Sequence, residues 1–182
     1  MKHQVEAEGA APLSPQAIRE EAHRAGLTDC GVASCAPSDH AARLDAWLAR
    51  GAHGAMAWME RTAEIRKNLR AKWDWADSAL VAVVSYLTRP ADRGQLSGIA
   101  RHVSRYARGR DYHDVLVARL RAWGDALETR RGSPFRRVAL VDTSAVLERE
   151  LAVRAGLGWF GKNTCLIGPR GDSWRFIGVL LT

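Results

Sequence analysis

Apolar positions along the chain follow two rhythms. From Asp111 to about Arg130, Leu116, Leu120, Trp123 and Leu127 recur at steps of four, three and four, which predicts an amphipathic helix. A second helix is predicted from Ser14, an N-cap followed by Pro15, through Ala25 to a stop at Gly26. A third runs from about Asp39 to Arg50, with Leu44, Trp47 and Leu48 on one face. Residues 56–70 are helical by composition but rich in charge, and "AVLERELAVRAG" is a helix stopped by Gly156. Strands are read in "DCGVAS", in the unbroken apolar run "ALVAVVSYL" (Ala79 to Leu87), expected to be buried on both faces, and in "RRVALVD". "TCLIG" and "WRFIGVLL" read as two strands joined by the turn "PRGD", a terminal hairpin. Residues 88–110 form a long arginine-rich loop. Helices and strands in mixed order imply an α+β fold rather than a doubly wound sheet. Residues 1–13 read as a flexible tail and 14–182 as one domain.

Composition narrows the class. The 182 residues are 47% hydrophobic and 26% charged, which suits a folded domain with a real core. The net charge of +7 points to a polyanionic partner such as nucleic acid. Three scattered cysteines, Cys30, Cys35 and Cys165, exclude a disulfide framework and a four-cysteine metal site within the chain. The N-terminal stretch lacks an apolar core, so it is no signal peptide, and the longest apolar run, Ala79 to Leu87, is far too short to span a bilayer, so the protein reads as cytoplasmic with no membrane partner.

Three strings carry candidate chemistry. Gly156 to Lys162 spells G-x-x-x-x-G-K, most of a phosphate-binding loop. That loop needs a strand before it and a helix after it, and here the order is reversed, with Asn163 where Ser or Thr would hold magnesium. The plainer reading is a glycine-rich turn with Trp159 and Phe160 in the core, although Trp159 in such a turn also suits a flat ligand. Most of the seven tryptophans are expected in the core. In "VALVDTSAVLERE", Asp142 stands where a strand ends and a helix begins. It is either an N-cap or a half-buried general acid with a raised pKa. "RHVSRYARGRDYH" gathers basic side chains around Tyr106, Asp111, Tyr112 and His113, a composition suited to phosphate and base contacts or to a large anionic cofactor.

In order, "SRYARGRDYHDVL", "VDTSAVLERELAVRAGLGWFGKNTCLI" and "GDSWRFIGVLLT" resemble the N-terminal domain of the epoxyqueuosine reductases. The resemblance covers nearly the whole chain after the tail. It implies a nitroreductase-like mixed sheet flanked by helices, and a cobalamin-dependent reduction of epoxyqueuosine to queuosine at the tRNA wobble position. It also implies two [4Fe-4S] clusters in a following domain, fed by an electron donor. Carried over by motif, Asp142 is the proton donor. Arg66, Ser104, Leu166 and Ile177 are cofactor contacts, along with Asp142 itself. His113 lines the pocket, and Lys162 and Asn163 hold the turn or a corrin amide. The chain departs from the family at Leu69, Ala145, Asp172 and Val179, where proline, proline, glycine and glutamate are usual. Its three cysteines ligate neither cluster. A corrinoid-binding module, or a degenerate tRNA-binding domain without redox activity, is the alternative.

Overall fold

A computed structural model describes residues 12–87 and 98–182. The helices are α1 (Pro15–Arg24), α2 (Ala41–Ala49), α3 (Ala57–Arg61), α4 (Ala63–Lys67), α5 (Tyr112–Arg131) and α6 (Glu148–Arg154). The strands are β1 (Asp29–Ser34), β2 (Ser78–Ser85), β3 (Val138–Leu140), β4 (Trp159–Phe160), β5 (Leu166–Ile167) and β6 (Arg175–Leu181). Among the described residues, 3₁₀ turns lie at Leu69–Ala71, Gly98–His102 and Arg105–Ala107.

The α+β class holds, with helices on both faces of a four-stranded sheet ordered β1-β2-β6-β3. The sheet is antiparallel throughout rather than mixed. The excursion after β1 leaves at Ser34 and returns at Ser78, and these two residues pair, so the chain re-enters beside the strand it left. On one face α1 and α5 cover Leu80, Ala82 and Leu180. On the other, α6 and the turn at Leu69 cover Val81, Val83, Val179 and Leu181. β2 is buried on both faces, as its unbroken apolar run requires. Helix α5 lies so close to β6 that a Cβ on Gly178 would sit 2.9 Å from Leu120 Cδ1. Its predicted stripe, Leu116, Leu120, Trp123 and Leu127, is fully buried, and Trp123 Nε1 donates to Ile18 O at 3.0 Å.

Three local expectations are corrected. The terminal reversal is present, with Gly168 N donating to Asp172 O, but its two strands do not pair with each other. Both edges of β6 are taken by β2 and β3, so β5 pairs with β4 instead. The charged stretch 56–70 is three short pieces. Thr62 Oγ1 bonds back to Trp58 O at 2.6 Å where α3 ends, and the Asn68 side chain caps the next turn. Only Trp73 and Trp123 of the seven tryptophans are buried, while Trp58, Trp159 and Trp174 are exposed. Residues 1–11 of the expected tail and 88–97 of the long loop lie outside the described residues, whereas Leu13 packs against the core.

Candidate active site

Asp142 follows β3 at the end of the sheet. The β3–β6 pairs run Val138–Leu181, Ala139–Leu180 and Leu140–Val179, and Asp142 lies two residues past the last of them. Helix α6 begins six residues later, at Glu148, with no side-chain cap, which removes the N-cap reading of Asp142. Its backbone is left-handed, φ 51°, an uncommon conformation for a residue with a Cβ and one often kept at functional sites. The side chain is 57% exposed rather than half-buried.

The start of α5 meets this carboxyl. The Tyr112 hydroxyl donates to Asp142 Oδ2, and His113 Nε2 lies 3.8 Å from the same oxygen. Asp111 caps α5 by accepting from His113 N at 2.8 Å, and its Oδ1 is 2.7 Å from His113 Nδ1. Tyr112 is held flat between the Phe176 ring, 4.1 Å away at 3°, and the His113 ring at 4.0 Å. Burial, then the bond to Asp142, raises the Tyr112 phenol far above its usual range, so it stays a neutral donor. The backbone and ring bonds from His113 hold Asp111 below the usual carboxylate range.

Beyond the loop after Asp142 opens a cleft of about 580 Å³, walled by Val146, Leu147, Phe160 and Met59, with Arg66 and Glu148 among its polar residues. Arg66 Nε donates to Thr62 Oγ1 at 3.2 Å. Glu148 is half-buried and its Oε1 has no partner among the described residues. Burial, reinforced by the charge of Asp142, pushes its pKa up to about 7. Glu148, whose carboxyl is raised in this way, is a residue the sequence did not single out. An apolar wall with one unsatisfied buried carboxyl oxygen fits a large group that is flat, apolar and rimmed by amides, as a corrin is.

The other predicted contacts divide. The G-x-x-x-x-G-K string is no phosphate loop: Gly156 ends α6 with φ 74°, and Trp159–Phe160 begins a hairpin. Lys162 is exposed at its tip, and Asn163 Oδ1 accepts from Cys165 N at 3.1 Å, holding the turn beside the cleft residues Gly161 and Thr164. Trp159 and Phe160 are exposed rather than core. Leu166 is 3% exposed, so its side chain belongs to the core and only its main chain can face a ligand. Ile177 is half-buried against the core. Ser104 is exposed at a 3₁₀ turn, where its side chain makes no capping bond. The departures are structural. Leu69, Ala145 and Val179 are buried, and Asp172 takes two Arg175 nitrogens at 2.7 Å each. Cys30 and Cys35 are buried and Cys165 exposed, and no group of metal-ligating side chains occurs among the described residues. Among those residues, no helix is long and apolar enough to cross a membrane.

The family model described as epoxyqueuosine reductase QueG, DUF1730, matches residues 66–143. The chain is 36% identical to the epoxyqueuosine reductase of Xanthomonas campestris over 90% of its own length and 46% of that protein's. It is 38% identical to that of Gloeobacter violaceus over 94% of its length and 52% of that protein's. A crystal structure of epoxyqueuosine reductase with an epoxyqueuosine-modified tRNA-Tyr stem loop shares its fold, with TM-score 0.72, 24% identity, and coverage of 91% of this chain and 44% of that one. A reductive dehalogenase, whose structure was reported with a mechanism for B12-dependent dehalogenation, is a more distant neighbour. Its TM-score is 0.53 at 16% identity, over 96% of this chain and 20% of that one. The chain spans about half the length of the curated relatives it matches. In sequence and in fold, this chain is a relative of the epoxyqueuosine reductases.

Proposed function

We propose that the chain is the cofactor- and substrate-binding part of an epoxyqueuosine reductase, reducing epoxyqueuosine to queuosine within tRNA. The observation that carries this reading is the Asp142 carboxyl, set on a left-handed backbone, gripped by Tyr112 and facing His113 beside an apolar cleft. Relatives at 36% and 38% identity bear that name. Cobalamin bound in the cleft would supply the reducing electrons that the side chains of this chain do not carry. Arg66, Glu148 and the turn at Lys162 and Asn163 would hold it, with Ser104, Leu166 and Ile177 as further contacts. The chain's own contribution is acid catalysis: Asp142 gives a proton to the epoxide oxygen as the first carbon–oxygen bond breaks, leaving a neutral hydroxyl on the adjacent carbon; with two electrons and a second proton in all, the second bond breaks, the oxygen departs as water and a double bond remains. Tyr112 fixes the carboxyl at Oδ2 during this step. The electron donor, with any iron–sulfur clusters, belongs outside residues 1–182.

The test is turnover of an epoxyqueuosine-bearing stem loop by the chain supplied with cobalamin and a chemical reductant. Asp142→Asn keeps the acceptor for Tyr112 but has no proton to give. It is expected to lower kcat by about 10²–10⁴-fold with RNA affinity retained. Wild-type turnover in the variant would remove Asp142 from the acid role.

A further inference from the structure

We propose that His113, oriented by Asp111, returns the proton to Asp142 after each turnover; this rests on the reading of Asp142 as the acid. Asp111 Oδ1 makes two contacts to residue 113, to its main-chain N at 2.8 Å and to its Nδ1 at 2.7 Å. The first is the N-cap of α5, and the second does nothing for capping. A carboxylate at Nδ1 keeps the proton of a neutral imidazole on that nitrogen. Nε2 then faces Asp142 Oδ2 at 3.8 Å. The imidazole face lies on Tyr112, which lies on Phe176, so the ring is held in this pose by packing. Its side chain is 34% exposed, enough to meet water.

The step balances without electrons. Asp142, having lost its proton to the substrate oxygen, is a carboxylate. The imidazolium of His113 gives its Nε2 proton to Oδ2 and is left neutral with Nδ1–H. A proton from bulk solvent, relayed through water, then reloads Nε2, and Asp111 stays ionised throughout. Contacts of this kind shorten in the productive complex, so 3.8 Å is a fair starting separation. His113 is therefore a positioning and proton-supplying residue that acts through Asp142.

The deciding measurement is the histidine ring ¹⁵N spectrum of the full chain, which needs no cofactor or substrate. Neutral His113 is expected to carry its proton on Nδ1. In Asp111→Ser, which keeps an N-cap but removes the carboxylate, the proton is expected on Nε2. A wild-type proton on Nε2 overturns the proposal whatever turnover does. In the stem-loop assay, His113→Gln is expected to lower kcat by about 10²-fold with KM unchanged, and added imidazole should restore part of it. Normal turnover in His113→Gln with a dead Asp142→Asn overturns the proton-supplying role alone. Normal turnover in Asp142→Asn overturns the acid reading and this proposal with it.

Discussion

Glu148 stands at the first position of α6, where a carboxylate ordinarily favours the helix dipole. Here burial outweighs that benefit and pushes its pKa up to about 7, with Oε1 left unpaired. The folded-state pKa lies above the ordinary value of 4.5, so the native state binds the extra proton between them. The contribution of Glu148 to stability is therefore greatest below about pH 4.5, falls as pH rises through about 7, and is flat beyond. Glu148→Gln removes the charge that must be buried. It is expected to flatten this slope and to stabilise the chain at pH 8 by something of order 2 kcal/mol, discounted for the side chain's partial exposure. Urea unfolding at pH 5 and pH 8 checks it; an unchanged difference between the two pH values would clear Glu148 of the effect. Asp142 was legible in the sequence because an acid at the end of an apolar strand is conspicuous, and because a motif marks it. Glu148 was not, since "LERE" reads as an ordinary solvated first turn, and nothing local announces the Phe160 hairpin and Arg66 helix that close over it.

At the scale of elements, α6 is only seven residues long, yet it holds a distant segment in place. Glu150, 6% exposed, accepts from Ser38 Oγ at 2.6 Å and from Asp39 N at 3.0 Å. Arg154 binds Glu150 at 2.7 Å and donates to Ala36 O and Pro37 O at 2.9 and 2.7 Å. The segment so gripped ends in His40, whose ring meets Phe160 edge-on at 5.5 Å on the cleft wall. Glu150→Ala leaves a serine hydroxyl and a backbone N–H without their acceptor and takes one ion pair from Arg154, and is expected to cost about 3 kcal/mol. Glu150→Gln keeps an acceptor oxygen and loses only charge assistance, about 1–2 kcal/mol. Urea midpoints rank the two, and faster amide exchange at Asp39 in Glu150→Ala would locate the damage. Equal midpoints in all three proteins would show that the grip is not needed. This clamp also explains which elements the sequence revealed. The long stripe of α5 and the apolar run of β2 carry their own period, so both were readable. The pairing of β5 with β4 was not, because it depends on β6 having no free edge.

For the whole molecule, the +7 net charge is unevenly placed. Arg24, Arg70, Arg130, Arg137, Arg154 and Arg175 are each paired with carboxylates. Residues 98–110 contain Arg101, Arg105, Arg108 and Arg110 and no Asp or Glu. Internal contacts pose several of these cations: Arg105 lies over the Trp174 ring at 5.0 Å, and Arg108 Nε donates to Val103 O at 2.9 Å. The same segment runs directly into Asp111, Tyr112 and His113, so phosphates bound along it would lie next to the Asp142 carboxyl. Sequence composition announced the charge, and the fold adds its adjacency to the acid. For the proposed RNA partner, affinity should fall linearly on a plot of log K against log salt, because each neutralised phosphate releases counterions. Replacing Arg101, Arg108 and Arg110 together by Ala should weaken stem-loop binding and reduce that slope by about 2 to 3, whatever the loop sequence. The fold should persist, since none of the three joins an ion pair among the described residues, and thermal unfolding would confirm it. Fluorescence anisotropy across a salt series reads the slope. If the triple variant keeps the wild-type slope, RNA docks on another face, and the closeness of these arginines to Asp142 has no part in presenting the substrate.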